Sequence, residues 1–136
     1  MENTGIDFMQ TALVVIDVQN DFCPGGALAV NDGDSIVSLI NSKMNDYDII
    51  ALTQDWHPVD HSSFASSQKG KSPLETVEMP YGTQVLWPDH CIQGTRGAAF
   101  HPKLNTDPAN LIVRKGYNPE IDLSLIHISE PTRHSI

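Results

Sequence analysis

The run Ala12-Leu13-Val14-Val15-Ile16 stops abruptly at Asp17, and no other feature of the chain restricts its fold as strongly. Consecutive apolar, largely β-branched residues suit a strand covered on both faces, which is the habit of a parallel sheet rather than of a half-solvated antiparallel one. Parallel neighbours need a crossover, and the sequence supplies one. After a turn-rich stretch holding Pro24-Gly25-Gly26, residues 34–45 place Ile36, Val37, Leu39, Ile40 and Met44 at helical spacing, with Asp32 or Asp34 available as N-cap. The next apolar run, Ile49-Ile50-Ala51-Leu52-Thr53, is short and follows closely, so strand–helix–strand is the economical reading, and its carboxyl end delivers Asp55. A third run, Leu111-Ile112-Val113, leads into Arg114-Lys115. The predicted class is therefore α/β with a parallel sheet. In open sheets of this kind ligands bind beyond the carboxyl ends of the strands, which puts Asp17, Asp55 and Lys115 at one expected crevice. Residues 57–82, rich in Ser, Pro, Gly and Lys, read as a long loop that serves the site.

A chain of 136 residues with 40% hydrophobic content can bury one real core, and a second domain is not expected. Seventeen acidic residues against 8 basic ones give a net charge of −9, which repels phosphate backbones and anionic bilayers. Nucleic acid and anionic membrane surfaces are accordingly poor candidates as partners, and self-association into a homo-oligomer is left open. The opening MENTGIDFMQ has no signal-peptide pattern and no later run has the length to span a bilayer, so the expected location is cytoplasmic, with Cys23 and Cys91 as reduced thiols.

Asp55 and His57 stand two apart, and on extended backbone such residues point to the same side, which suits two ligands on one cation. His90 could supply a third across the long loop. One carboxylate and two imidazoles suit zinc, iron or manganese with positions left open, whereas surface histidines and a solvated Asp are the alternative. His61 and Asp89 are nearby substitutes or supporting partners. Asp17, after five apolar residues, is expected to be partly desolvated and so shifted toward a general base, unless a cation such as Lys115 offsets this; an ordinary strand-end ion pair is the plainer reading. Phe22, Leu28 and Trp87 are large apolar residues in loop-like segments, able either to wall a flat aromatic ligand or to fill core. His101, before Pro102, reads as a loop or packing residue.

Taken together, ALVVIDVQNDFCPGGALAV, TQDWHP, WPDHC and the Lys115-Gly116 pair resemble, in order and spacing, nicotinamidases of the isochorismatase-like cysteine hydrolase family, over about residues 10–122. The resemblance implies a parallel sheet with helices on both faces. It also implies that Asp17 is the general base and Lys115 its cationic partner, both acting on a cysteine that attacks a carboxamide, forms a thioester and releases ammonia. Asp55, His57 and His90 would hold one divalent ion (Zn, Fe or Mn) that orients the pyridine nitrogen of nicotinamide, with His61 as a further ligand in some relatives. Phe22 and Trp87 would flank the ring, and the product is nicotinic acid in NAD salvage.

The pattern departs at the end. The family's nucleophilic cysteine lies well after the lysine, in a turn opening a helix, and neither Cys23 nor Cys91 occupies that position. From Leu123 the string LSLIHISEPTR resembles the translation of a transposase sequencing adapter. Residues 1–122 are therefore expected to form the N-terminal part of one hydrolase domain, incomplete at the C-terminus and inactive by itself, and residues 123–136 a non-native tail in which His127 and His134 carry no weight. Competing readings are a metal-free isochorismatase-like hydrolase of another substrate, a non-catalytic metal-binding module, and a metallohydrolase that uses Asp89 as base near metal-bound water.

Overall fold

Asp17 leaves the first strand in the left-handed region, at φ 53°. The structure is a computed structural model that describes residues 10–122; the tail expected over residues 123–136 lies outside the described residues. Strands β1 (Ala12–Ile16) and β2 (Ile49–Asp55) are parallel and joined by a crossover containing α1 (Val37–Lys43). Two further strands, β3 (Thr76–Met79) and β4 (Gly82–Val85), make an antiparallel hairpin, and β5 (Leu111–Lys115) returns to the main sheet. The main sheet has the order β1-β2-β5, all parallel, with Ile16 opposite Thr53 and Asp55 opposite Lys115. Strand ends carrying Asp17, Asp55 and Lys115 thus lie side by side, as the sequence predicts.

Val15, Ile50 and Leu52 from the strands pack with Val37 and Met44 from the crossover and with Leu104, partly covered by Leu13, Ile40 and Tyr47. Leu52, on the central strand, is fully buried. The opposite face, carrying Val14, Ile16 and Leu111, is exposed among the described residues, so the covering of β1 on both faces expected from its composition is present on one. The helix is shorter than the predicted span of residues 34–45. Ile36 is its N-cap, without a side-chain capping bond, and residues 44–46 continue as a 3-10 turn. Ile36 and Leu39 face solvent. At 3.6 residues per turn Leu39 falls about 200° round the axis from Val37, whereas Ile40 and Met44 return to within about 60° of it.

The second difference lies in residues 57–82. They hold a 3-10 turn at Ala65–Ser67 and all of β3, which pairs with β4 from Thr76–Val85 to Met79–Gly82. Alternation in Thr76-Val77-Glu78-Met79 is present but brief, and Pro80-Tyr81-Gly82 turns the chain, so one short hairpin was hidden inside a polar stretch.

Candidate metal and catalytic site

Parallel pairing places the last residues of β2 and β5 beside each other, and the side chains there are Asp55 and Lys115. Lys115 is buried, and its ammonium pairs with Asp17 Oδ2 at 2.7 Å and, closely, with Asp55 Oδ1. Burial alone would depress the Lys115 pKa; the charges of Asp55 and then Asp17 overcome this and raise it. The sequence pairs Lys115 with Asp17 alone, but the lysine serves both carboxylates. Asp17 is steadied by Thr53, whose hydroxyl donates to Oδ1 at 2.7 Å and whose main-chain carbonyl accepts the Asp17 N–H at 3.2 Å.

Asp55 divides its two oxygens. Oδ1 meets Lys115, and Oδ2 stands 3.6 Å from His57 Nε2. Burial would raise the Asp55 pKa, but the neighbouring His57 imidazole and the Lys115 charge hold it below the usual carboxylate range. Behind it, Gln19 is fully buried: Oε1 accepts the Asp55 N–H at 2.8 Å, while Nε2 donates to the carbonyls of Asp55 at 2.9 Å and Ala98 at 2.8 Å. A side-chain amide here completes the edge of β2 as a neighbouring strand would.

The two predicted imidazole ligands are set by carbonyls. His57 Nδ1 lies 2.8 Å from Gly116 O and His90 Nδ1 lies 2.8 Å from Pro88 O. A carbonyl can only accept, so each Nδ1 carries hydrogen and each neutral ring presents its Nε2 lone pair. Ligand atoms of Asp55, His57 and His90, all three residues buried, lie within 4.8 Å of one another. Zinc bonds of about 2.1 Å in tetrahedral geometry put ligand atoms about 3.4 Å apart, close to the spacing found between Asp55 and His57. The donor set therefore fits a divalent ion. Without one, burial would lower the His57 pKa, but the nearby Asp55 carboxylate raises it. For His90, burial, only partly countered by the Pro88 carbonyl, pushes the pKa down and keeps the ring neutral.

His61 behaves differently from the expectation of a further ligand. Its ring centroid is 4.5 Å from that of His57, yet Nε2 meets the Ile121 carbonyl at 3.1 Å and must donate, while Nδ1 accepts from Ser63 Oγ at 2.7 Å and from Ser63 N–H at 3.2 Å. No lone pair is left for a cation. Asp89 is exposed and accepts from Ser66 Oγ, outside the three-residue set. His101 Nδ1 accepts the Lys103 N–H at 3.1 Å, a loop role as expected.

Of the proposed walls, Phe22 stands with its ring 5.7 Å from that of His90. Leu28 is half-buried and held by its N–H on Asp21 O at 2.9 Å, and Trp87 is half-buried and bonded through its backbone to Ser63 and Ala65. Sequence reading missed Phe64, which is fully buried with its ring 5.5 Å from His57, 5.7 Å from His61 and 5.4 Å from His90. A single aromatic in a Ser-rich loop was the only available signal.

Comparison with known proteins agrees with this architecture. The Isochorismatase domain family matches residues 11–121. A nicotinamidase of Acinetobacter baylyi is 52% identical over 124 residues, covering 91% of this chain and 58% of its own length. Among solved structures, a nicotinamidase/pyrazinamidase of Acinetobacter baumanii superposes with a TM-score of 0.80 at 58% identity, over 82% of this chain and 54% of that one. A pyrazinamidase of Pyrococcus horikoshii in complex with zinc gives a TM-score of 0.63 at 36% identity, over 82% and 55% of the two chains. The chain spans somewhat over half the length of these relatives. With the family matched over most of the described residues and the parallel sheet superposing on its solved members, this chain belongs to the isochorismatase domain family.

Proposed function

We propose that this chain serves the hydrolysis of nicotinamide to nicotinic acid and ammonia, in NAD salvage, by holding a divalent ion and orienting the substrate against Asp17 and Lys115. The observation that carries the reading is the buried set at the strand ends, in which Asp55 faces the Nε2 side of His57 with one oxygen and Lys115 with the other. When bound by Asp55, His57 and His90, zinc, iron or manganese supplies an open coordination position for a ring nitrogen. Phe22, Leu28 and Trp87 are the proposed walls for the flat ring. Asp17, held by Thr53 and Lys115, is the proton acceptor, and the same Lys115 ammonium pairs with Asp55. The similarity to nicotinamidases and to a zinc-bound pyrazinamidase supports this over a metal-free hydrolase of another substrate. Two free cysteines fit a reducing compartment such as the cytoplasm.

The same chemistry needs a nucleophilic thiol, and neither cysteine suits it. Cys91 is wholly buried, and burial together with the Asp55, Asp21 and Asp17 carboxylates drives its pKa far up; Cys23 is buried, and burial with the Asp34 charge raises its pKa too. Thiols held protonated are poor nucleophiles. The 136 residues alone are therefore expected to release no ammonia from nicotinamide. Substrate orientation is tested by calorimetry on the zinc-loaded chain. Nicotinamide should bind, whereas benzamide, which lacks the ring nitrogen, should bind at least tenfold more weakly. Equal binding of the two amides, or undiminished nicotinamide binding after zinc removal, would contradict the assignment.

A further inference from the structure

Asp21 has a carboxylate that none of the chemistry above employs, yet it is among the most closely held in the molecule. Oδ2 accepts the Cys91 N–H at 2.7 Å and Oδ1 accepts the Ala27 N–H at 3.2 Å, while the Asp21 N–H donates to Gly97 O at 3.0 Å. The Cys91 N–H belongs to the peptide that joins His90 to Cys91. The carboxylate therefore grips the backbone of His90 directly.

Cys91 itself has a φ of 48°, a left-handed conformation that residues other than glycine rarely keep unless their surroundings impose it. On its other side, the Cys91 carbonyl accepts the His57 N–H at 2.9 Å. One residue held in an unusual conformation thus connects the two imidazoles, and Asp21 is what holds it. Gly97 completes the arrangement: a Cβ there would lie 2.2 Å from Asp21 Oδ2 and 2.5 Å from Cγ. Only glycine leaves room for the carboxylate. Asp21 also fixes the next residue in the chain, Phe22, whose ring stands beside His90.

We infer that Asp21 is a positioning residue for the metal, setting the separation of His57 and His90 through the left-handed Cys91 before an ion arrives. The inference rests on the metal reading of Asp55, His57 and His90. It concerns Asp21 and Gly97, neither of which belongs to the Asp55–His57–His90 set. Residues that orient metal ligands typically govern affinity by about 10–100-fold.

The test titrates zinc into the full chain against a chromophoric chelator and records the visible absorption of the cobalt-substituted protein. Wild type is compared with Asp21→Ala, Gly97→Ala and the isosteric Asp21→Asn. In Asp21→Asn an amide NH2 must face one of the two N–H groups. Zinc should bind about 10–100-fold more weakly to Asp21→Ala and Gly97→Ala, with altered cobalt band intensities, and several-fold more weakly to Asp21→Asn. Far-UV circular dichroism identifies the variants that keep the fold, and if Asp21→Ala and Gly97→Ala lose it, Asp21→Asn decides. Folded variants with zinc affinity within twofold of wild type and an unchanged cobalt spectrum would overturn the role of Asp21. A wild type that binds no zinc would remove the metal reading itself, and with it this inference.

Discussion

Lys115 sits where the buried Asp55 carboxylate and the half-buried Asp17 carboxylate would otherwise repel each other, and its single ammonium meets both. Removing one partner from such a buried group typically costs about 3–5 kcal/mol, because the remaining charges lose their compensation. Gly116, next in sequence, is a sharper probe of the metal set. Its φ of 72° suits glycine, its carbonyl orients His57, and a Cβ would lie 2.4 Å from His57 Cε1. Gly116→Ala should therefore turn the His57 ring and weaken zinc binding about 10–100-fold, measured by chelator competition. An unchanged affinity would show that the Gly116 contact does not set that ring. At this scale the sequence is informative about residue type and poor about partners. Asp17, Asp55 and Lys115 were legible because each ends an apolar run, and His57 and His90 because imidazoles near a carboxylate suggest a cation. The bonds that saturate His61, the second partner of Lys115 and the packing of Phe64 on three imidazoles were not legible, since each depends on contacts between segments far apart in sequence.

The strands follow the same logic one level up. β2 is central, flanked on both sides, and its Leu52 is fully buried opposite Val15 and Ile112. Leu52→Ala should cost about 2–5 kcal/mol, read as a lower urea midpoint with little change in slope. A loss below about 1 kcal/mol would show that this strand does not anchor the core. Continuous apolar runs, the composition typical of parallel strands, identified all three strands of the parallel sheet. Helix onset was misplaced because Ile36 and Leu39 fit an apolar count but not the face fixed by Val37, Ile40 and Met44. The hairpin of β3 and β4 escaped because its pattern of burial is shallow, with Gln84 the one buried residue in the two strands.

In the molecule as a whole, the groups of the candidate site come from Asp17 to Gly116, so their arrangement exists only once β1, β2, β5 and the connecting segments have assembled. Binding an ion at such a site adds directly to folding free energy, because the unfolded chain has no preformed set of ligands. The sheet is asymmetric among the described residues, with a core on the α1 side and Val14, Ile16 and Leu111 exposed on the other. No helix among the described residues is long and apolar enough to cross a membrane. The central claim is that Asp55, His57 and His90 together make one metal site. Metal analysis of the chain after zinc loading and gel filtration tests it most directly. The prediction is one zinc per chain in the wild type and almost none in folded Asp55→Ala, His57→Ala and His90→Ala variants; zinc retained at full stoichiometry in those variants, or absent from the wild type, would contradict it.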